Sequence, residues 1–453
     1  MNPHIFREYD IRGVVGRDLT DDSVYDLARA IGTFFHRNGA RRVSLGRDAR
    51  ESSPPFRDLL IRGFNQSGLD VIDVGMVPTP VLYYTLFTQP VEAGVMITGS
   101  HNPPNENGFK ICLGKSTIFG GQISEIKEIA LARDFSNGSG NFEVRDVLEE
   151  YRDMIAANVQ LGPRRLKVVV DGGNGMGGMV GAPLYREMGC EVVELFCEPD
   201  SRFPNHHPDP TVVENMRFAI AAVAEHRADL AIAFDGDGDR IGVVDERGGV
   251  IWGDQLMIIF SRAILARHPG ARFIAEVKCS QVLYDDIRAH GGEALMWKVG
   301  HSLIKAKMKE IDAQMAGEMS GHLFFADRYF GYDDAVYAGA RLLEILSHTE
   351  GPLSDLLADL PPTVYTPEIR LDCPDEKKFA VVGALSEEFK RTHDVIDIDG
   401  ARIRFAHGWA LVRGSNTQPV IVMRFEADTQ AHLDEMRQLL EARAQRLIAE
   451  SDA

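Results

Sequence analysis

Apolar residues in this chain fall in short runs that stop at glycine or at polar turns, and the runs recur in sets of three. The first of each set reads Val43-Ser44-Leu45-Gly46-Arg47-Asp48, then Val168-Val169-Val170-Asp171-Gly172-Gly173, then Phe273-Ile274-Ala275-Glu276-Val277-Lys278. Runs this short, bounded by turn residues, predict buried strands. A helical stretch follows, ends at glycine, and a second strand leaves at once: Gly68-Leu69-Asp70-Val71-Ile72, Gly189-Cys190-Glu191-Val192-Val193 and Gly292-Glu293-Ala294-Leu295-Met296. Glycine closing a helix just before a strand is the usual αβ junction. The third strands span residues 94–97, 231–234 and 313–316. Three copies of strand-helix-strand-helix-strand predict three similar mixed α/β domains built from an internal repeat. Each exposes a loop at an equivalent sheet edge, so the loops can face one cleft.

The flanks complete the plan. Residues 6–13 read as an edge strand, residues 23–38 as a helix and residues 333–347 as the helix that closes the third unit. A linker marked by Pro361-Pro362 leads to a smaller α+β domain with a strand at 368–371, a helix at 376–391 and strands at 395–399, 403–405 and 420–425. Leu433, Met436, Leu440, Ala444 and Leu447, spaced by three and four, predict a last amphipathic helix. The expected domains are 1–147, 148–248, 249–360 and 361–453. A chain of 453 residues has room for these four.

Composition narrows the partners. Lys and Arg number 49 against 67 Asp and Glu, a net charge of -18, which argues against nucleic acid and against anionic membrane surfaces. An anionic small molecule stays compatible, because a few cations inside a cleft override net charge. Five cysteines with no CxxC pair suggest free thiols in a reducing compartment. No stretch approaches the roughly 18 apolar residues of a membrane span, and residues 1–10 carry no apolar leader. The expectation is a cytoplasmic protein.

The chemistry sits in the loops that follow the third strands. Thr98-Gly99-Ser100-His101-Asn102-Pro103 presents one hydroxyl at the carboxyl end of a sheet, where open α/β folds bind ligands. Ser100 is the candidate nucleophile, against the plainer reading of a polar turn satisfying its own backbone. Asp235-Gly236-Asp237-Gly238-Asp239-Arg240 places three carboxylates at alternate positions. At about 4 to 6 Å and an effective dielectric near 20, each pair repels by roughly 3 to 4 kcal/mol, a cost that a divalent cation removes. An EF-hand fits Glu246 at the twelfth position but requires glycine at the sixth, where Arg240 stands.

Gly173-Asn174-Gly175-Met176-Gly177-Gly178 matches GxGxxG, with Glu194 about 20 residues on, and would suit a nicotinamide oxidoreductase. That reading leaves Ser100 and the aspartates unexplained; a tight βα turn accounts for the glycines. Gly317-Glu318-Met319-Ser320-Gly321-His322 sets a carboxylate and a hydroxyl two residues apart, on one side of an extended backbone, as adjacent sugar hydroxyls require. Arg413-Gly414-Ser415-Asn416-Thr417-Gln418-Pro419 can surround a phosphate. Lys110, Lys278 and His301 are weaker candidates, since a single lysine or histidine is usually a surface residue.

Taken in order and one per domain, TGSHNP, DGDGDR, GEMSGH and RGSNTQP resemble the α-D-phosphohexomutase family, and within it the bacterial phosphomannomutase/phosphoglucomutase branch. The resemblance implies a phosphate carried on Ser100 and Mg²⁺ held by Asp235, Asp237, Asp239 and a Ser100 phosphate oxygen. It implies transfer between C1 and C6 of mannose and glucose phosphates through a hexose 1,6-bisphosphate, which also serves as activator. Arg12, Tyr9, His101, Lys110, Arg240, His301 and His322 match positions near the transfer site, with Lys110 or His322 carrying the proton. Lys278, Glu318 and Ser320 would hold the sugar, and Arg413, Ser415, Asn416 and Thr417 the idle phosphate. The other readings are an amino-sugar phosphate mutase and a non-catalytic sugar-phosphate sensor. A monomer taking only small phosphosugars is expected.

Overall fold

A computed structural model describes residues 1–415 and 419–450 and contains four sheets in succession along the chain. In the first unit Arg42–Arg47 lies between Asp70–Met76 and Ala93–Ile97, parallel to both. Lys167–Asp171 stands in the same way between Glu191–Leu195 and Leu230–Phe234, and Arg272–Glu276 between Glu293–Trp297 and Met315–Gly317. Val43, Leu45, Val168, Val170, Phe273 and Ile274 are fully buried, which is why these runs read as continuous rather than alternating.

The sheets are mixed for a reason the runs do not show. After each third strand the chain turns back antiparallel, as Glu106–Leu113, Ile241–Asp245 and Leu323–Phe325. Each functional loop is therefore the tip of a hairpin, braced by strands on both sides. Near the amino terminus the strand covers only Ile11–Val14, paired with Glu106–Leu113, and Phe6 contributes a single bridge to Ile11. The expected strand over residues 6–13 is thus half as long, because the chain turns between Arg7 and Asp10, where Arg7 N donates to the Asp10 oxygen at 2.9 Å.

The fourth unit is an antiparallel sheet in which Gly408–Gly414, absent from the sequence reading, pairs with both Ala401–Phe405 and Val420–Ala427. Its predicted strand at 395–399 is seen as Asp394–Ile396, and its helix as Lys378–Phe389. The closing helix is Gln430–Glu450.

One apolar cluster runs through the first three units, from Ile72 through Tyr151, Phe234 and Phe260 to Leu353. The fourth unit has a core of its own, including Val382, Ile403, Met423 and Leu440. It meets the third through a small apolar contact of Val277 with Trp409 and Leu411. All five cysteines are buried and none is in a disulfide. Burial pushes the Cys112 and Cys197 thiols up to about 12, so neither forms a thiolate near neutral pH.

Candidate active site

Ser100 sits at the tip of the first hairpin with φ 49°, a left-handed conformation that is costly for a residue bearing a side chain. The loop is held in that shape from several directions. Thr98 Oγ1 accepts from Ser100 N at 2.8 Å, and Asp48 Oδ2 accepts from Gly99 N at 3.1 Å. Arg50, buried beside Asp48, donates to the carbonyls of Ser100, Asn102, Pro103 and Glu106. Ser100 Oγ then donates to Asp235 Oδ2 at 2.9 Å and lies 3.1 Å from His101 Nδ1. Burial, with Arg240 and Arg12 nearby, holds the His101 pKa well below the ordinary imidazole range, so the ring is neutral. Arg12 points in from the edge strand, donating to Asp10 at 2.6 Å and to Asn102 at 3.0 Å.

The acidic loop closes on Asp235, whose Oδ1 accepts from the backbone N–H groups of Gly238, Asp239 and Arg240. Gly236 has no space for a side chain, because a Cβ there would lie 2.2 Å from the Ser100 carbonyl oxygen. The serine and acidic loops are thus pressed backbone to backbone. The glycine-rich loop buttresses them: a Cβ on Gly175 would lie 2.7 Å from the Gly236 oxygen. Glu194 is exposed and paired with Arg186. The tight-turn reading accounts for this stretch.

Asp235, Asp237 and Asp239 are fully buried, with one oxygen of each within 4.8 Å of the others. Lys110, from the first unit, donates to Asp237 Oδ2 at 2.7 Å and to Asp239 Oδ2. Thr79 Oγ1 donates to Asp237 Oδ2 at 2.5 Å. Burial works against charge on Lys110, but Asp237 and Asp239 outweigh it and raise its pKa. Burial together with repulsion from Asp237 and Asp239 pushes Asp235 well above the usual carboxylate range. Asp237 Oδ1 and Asp239 Oδ1 remain buried with no hydrogen-bond partner among the described residues. Orphaned carboxylate oxygens beside a proton-hungry third carboxylate fit a hard divalent cation such as Mg²⁺.

The third unit joins through the backbone, since Ile241 N donates to the Gly321 oxygen at 3.1 Å. Arg240 Nε donates to His322 Nε2 at 2.9 Å, and His322 Nδ1 lies 3.0 Å from Asp333 Oδ2. Asp333 also takes Lys305 at 2.9 Å, and His301 stacks on His322 with ring centroids 5.6 Å apart. Glu318 and Ser320 do approach each other, Ser320 Oγ donating to Glu318 Oε2 at 3.2 Å. They do so across a turn closed by Gly321 N to the Glu318 oxygen, correcting the expected extended backbone. Glu318 Oε1 accepts from Gly300 N at 2.7 Å, and Tyr9 donates to the Val299 oxygen at 3.0 Å. Lys278 reaches Glu368 of the fourth unit at 2.9 Å. Arg413 and Ser415 are buried, with Arg413 3.2 Å from Asp399. Asn416 and Thr417 lie outside the described residues.

Four domain families match the chain in order: phosphoglucomutase/phosphomannomutase alpha/beta/alpha domain I over residues 3–137, domain II over 149–249, domain III over 252–364 and the C-terminal domain over 368–442. The chain belongs to the phosphoglucomutase/phosphomannomutase family. The phosphomannomutase/phosphoglucomutase of Pseudomonas putida is 46% identical over 447 residues, covering 98% of this chain and 96% of that one. A phosphoglucomutase of Neisseria meningitidis serogroup A is 45% identical over 443 residues, covering 97% and 96%. The crystal structure of a phosphoglucomutase/phosphomannomutase family protein from Burkholderia thailandensis matches with a TM-score of 0.93 at 42% identity, covering 99% of this chain and 98% of that one.

In this phosphoglucomutase/phosphomannomutase family member, several groups at the site escape the motif reading. Arg50 shapes the serine loop, Thr79 and Asp333 hold Asp237 and His322, and Glu368 and Asp399 receive Lys278 and Arg413. Glu276, fully buried, accepts from Lys278 N at 2.6 Å and Met319 N at 3.2 Å, joining two candidate sugar-binding loops. Glu276 and Asp333 lie in stretches already read as a strand end and a helix start. Their carboxylates were visible there, but their partners were not.

Proposed function

We propose that this chain moves phosphate reversibly between C1 and C6 of hexose phosphates, of mannose and glucose alike, by way of phosphorylated Ser100 and a hexose 1,6-bisphosphate. The observation that carries the reading is Ser100 Oγ at 2.9 Å from Asp235, inside a buried group of three aspartates and one lysine drawn from two units. A hydroxyl on a strained, rigid loop against a cation site is suited to receiving and returning a phosphoryl group.

In the forward half, the free hydroxyl of the sugar bonds to the phosphorus on Ser100. The P–Oγ bond breaks with its electrons going to Oγ, and the hydroxyl proton passes to a base. The second half reverses these steps with the other phosphate of the bisphosphate. Such monoester chemistry needs accelerations of up to about 10²¹, so fixed positive charge and position must supply most of it. Arg12, Arg240 and Lys110 provide that charge around Ser100 and neutral His101 lies beside it. The two carboxylates that keep Lys110 protonated favour His322, with His301 stacked on it, as the proton carrier. Mg²⁺, when held by Asp235, Asp237, Asp239 and a Ser100 phosphate oxygen, neutralises charge on the transferring group.

The bisphosphate must turn around between halves. Glu318 and Ser320 would grip O3 and O4, which lie between C1 and C6, and so serve both orientations. Mannose and glucose differ at C2, which such a grip leaves unread. Lys278 and Tyr9 line the same space, and Arg413, Ser415, Asn416 and Thr417 hold whichever phosphate is idle. All these groups come from one chain divided at 148, 249 and 361, so the reading needs no partner subunit. No helix among the described residues is long and apolar enough to cross a membrane, and we place the monomer in the cytoplasm. The decisive test is incubation with phosphorus-labelled glucose 1,6-bisphosphate followed by peptide mapping. Label on Ser100, absent from Ser100→Ala together with mutase activity, is the expected result; an active, unlabelled enzyme would overturn it.

A further inference from the structure

We propose that His407, Asp428 and His432 form a second metal site, on the fourth unit beside the Pro361–Thr363 linker, that takes zinc-like divalent transition metals rather than Mg²⁺. The three residues come from three different segments. His407 occupies the tight turn between Ala401–Phe405 and Gly408–Gly414, Asp428 follows Val420–Ala427, and His432 lies in the first turn of Gln430–Glu450.

The backbone already holds them together. Asp428 N donates to the His407 oxygen at 3.1 Å, and Thr429 accepts at the helix start from Leu433 N at 3.0 Å through its carbonyl and from His432 N at 3.4 Å through Oγ1. The side chains converge accordingly: His432 Nδ1 is 2.6 Å from Asp428 Oδ1, and His407 Nδ1 is 3.2 Å from Asp428 Oδ2. The two imidazoles stack at 4.1 Å between centroids with 9° between their planes, and one donor atom of each residue lies within 4.8 Å of the others.

Two imidazole nitrogens and one carboxylate oxygen are the donor set of three-ligand zinc sites that leave a fourth position open. Imidazole prefers zinc, copper and nickel, whereas the cleft offers three carboxylates, which suit Mg²⁺. The same chain therefore sorts two classes of metal by donor type. Without metal, Nδ1 of both rings faces Asp428, and His432 Nδ1 also lies 2.9 Å from Thr429 Oγ1; coordination through Nδ1 leaves Nε2 to carry the ring proton. A bound ion would staple the last helix to the β-hairpin that carries Arg413.

The test uses the full chain, stripped with chelator, returned to excess Mg²⁺ and dialysed against micromolar zinc. Elemental mass spectrometry should find one zinc per wild-type chain that excess Mg²⁺ does not displace, and none in the His407→Ala/His432→Ala double variant. Both proteins should show the same mutase activity in zinc-free Mg²⁺ buffer, because neither histidine reaches the cleft. Should the double variant fold poorly, His407→Gln on the exposed turn replaces it, read by visible absorption after Co²⁺ loading. Wild type should give the intense tetrahedral cobalt band and His407→Gln should lose it. Equal zinc in wild type and variant, zinc displaced by Mg²⁺, or an equal cobalt band in both overturns the proposal.

Discussion

Replacing Glu276 with glutamine should flatten the pH dependence of stability between pH 5 and pH 8. Glu276 is fully buried at the end of Arg272–Glu276, and burial pushes its carboxyl up to about 7 from 4.5. Glu318 adds to the shift, while Lys278, 3.8 Å away, and the N–H groups of Lys278 and Met319 oppose it. Between the two pKa values the folded chain holds a proton that the unfolded chain has lost. Stability from this group is thus complete below about 4.5 and disappears as pH rises through about 7. The difference between 4.5 and about 7 is worth roughly 3.4 kcal/mol in full, of which roughly 2.5 kcal/mol falls between pH 5 and pH 8.

Glutamine carries no titrating charge. Its amide can accept only one of the two backbone N–H groups that Glu276 takes, which costs about 1 to 3 kcal/mol at every pH. The level of stability therefore decides nothing, and the slope decides everything. Urea unfolding of wild type and Glu276→Gln, followed by Trp252 and Trp297 of the third unit at saturating Mg²⁺, gives the difference at each pH. Wild type should lose about 2.5 kcal/mol relative to the variant from pH 5 to pH 8. Parallel curves would refute the reasoning, and would mean that the paired N–H donors keep Glu276 ionised throughout.

Lys110→Met leaves Asp237 and Asp239 without their buried cation, and should cost about 3 to 5 kcal/mol in chelator by thermal unfolding. Added Mg²⁺ should recover more of the loss in this variant than it adds to wild type, and an equal gain would place the metal elsewhere. Asp237→Asn should raise the Mg²⁺ concentration needed for half-maximal activity, measured by titration against glucose 1-phosphate. Arg413→Ala removes a charged hydrogen bond worth about 1.5 to 3 kcal/mol, so KM should rise roughly ten- to hundredfold for mannose and glucose phosphates alike. An effect on one sugar only would move Arg413 from the phosphate to the ring. Asp333→Asn takes away the charge facing His322 Nδ1 and should lower kcat with little change in KM; a change confined to KM would make His322 a binding residue.

The repeat was legible because its strands are buried on both faces, so Val168-Val169-Val170 and its counterparts stand out without any partner being known. Glu106–Leu113 was not, since Asn107-Gly108 imitates a turn and Lys110 imitates a surface residue. Lys110 is buried only because Asp237 and Asp239, more than 120 positions away, wait for it. The same holds for Arg50, whose run of carbonyl acceptors exists only once the serine loop has formed. Motifs of adjacent residues such as Asp235 to Arg240 could be read for chemistry. Groups whose role is to satisfy those motifs from another unit could not.

That division also shows how the cleft can open. Ser100 with Asp235, Lys110 with Asp237, and Arg240 with His322 all join units one, two and three, and one apolar cluster runs through all three units beside the smaller cluster each keeps to itself. Separating them would expose buried surface at about 25 cal/mol per Å², so they must move as one body. The fourth unit keeps its own core and is attached by Val277 against Trp409 and Leu411, by the Lys278–Glu368 pair, by Arg402 donating to the carbonyls of Val277 and Cys279 at 2.5 and 2.8 Å, and by further hydrogen bonds that include Val299 N to Asp399 at 3.0 Å, Gln281 N to Glu426 at 3.2 Å and Arg424 to the Lys278 oxygen. Most of these contacts are polar, and water can replace them at little net cost. The loop bearing Arg413 can therefore withdraw with its unit while the serine and the acidic loop stay fixed. The proposed release, turning and regripping of a bisphosphate would require that combination of a rigid transfer site and a detachable phosphate grip.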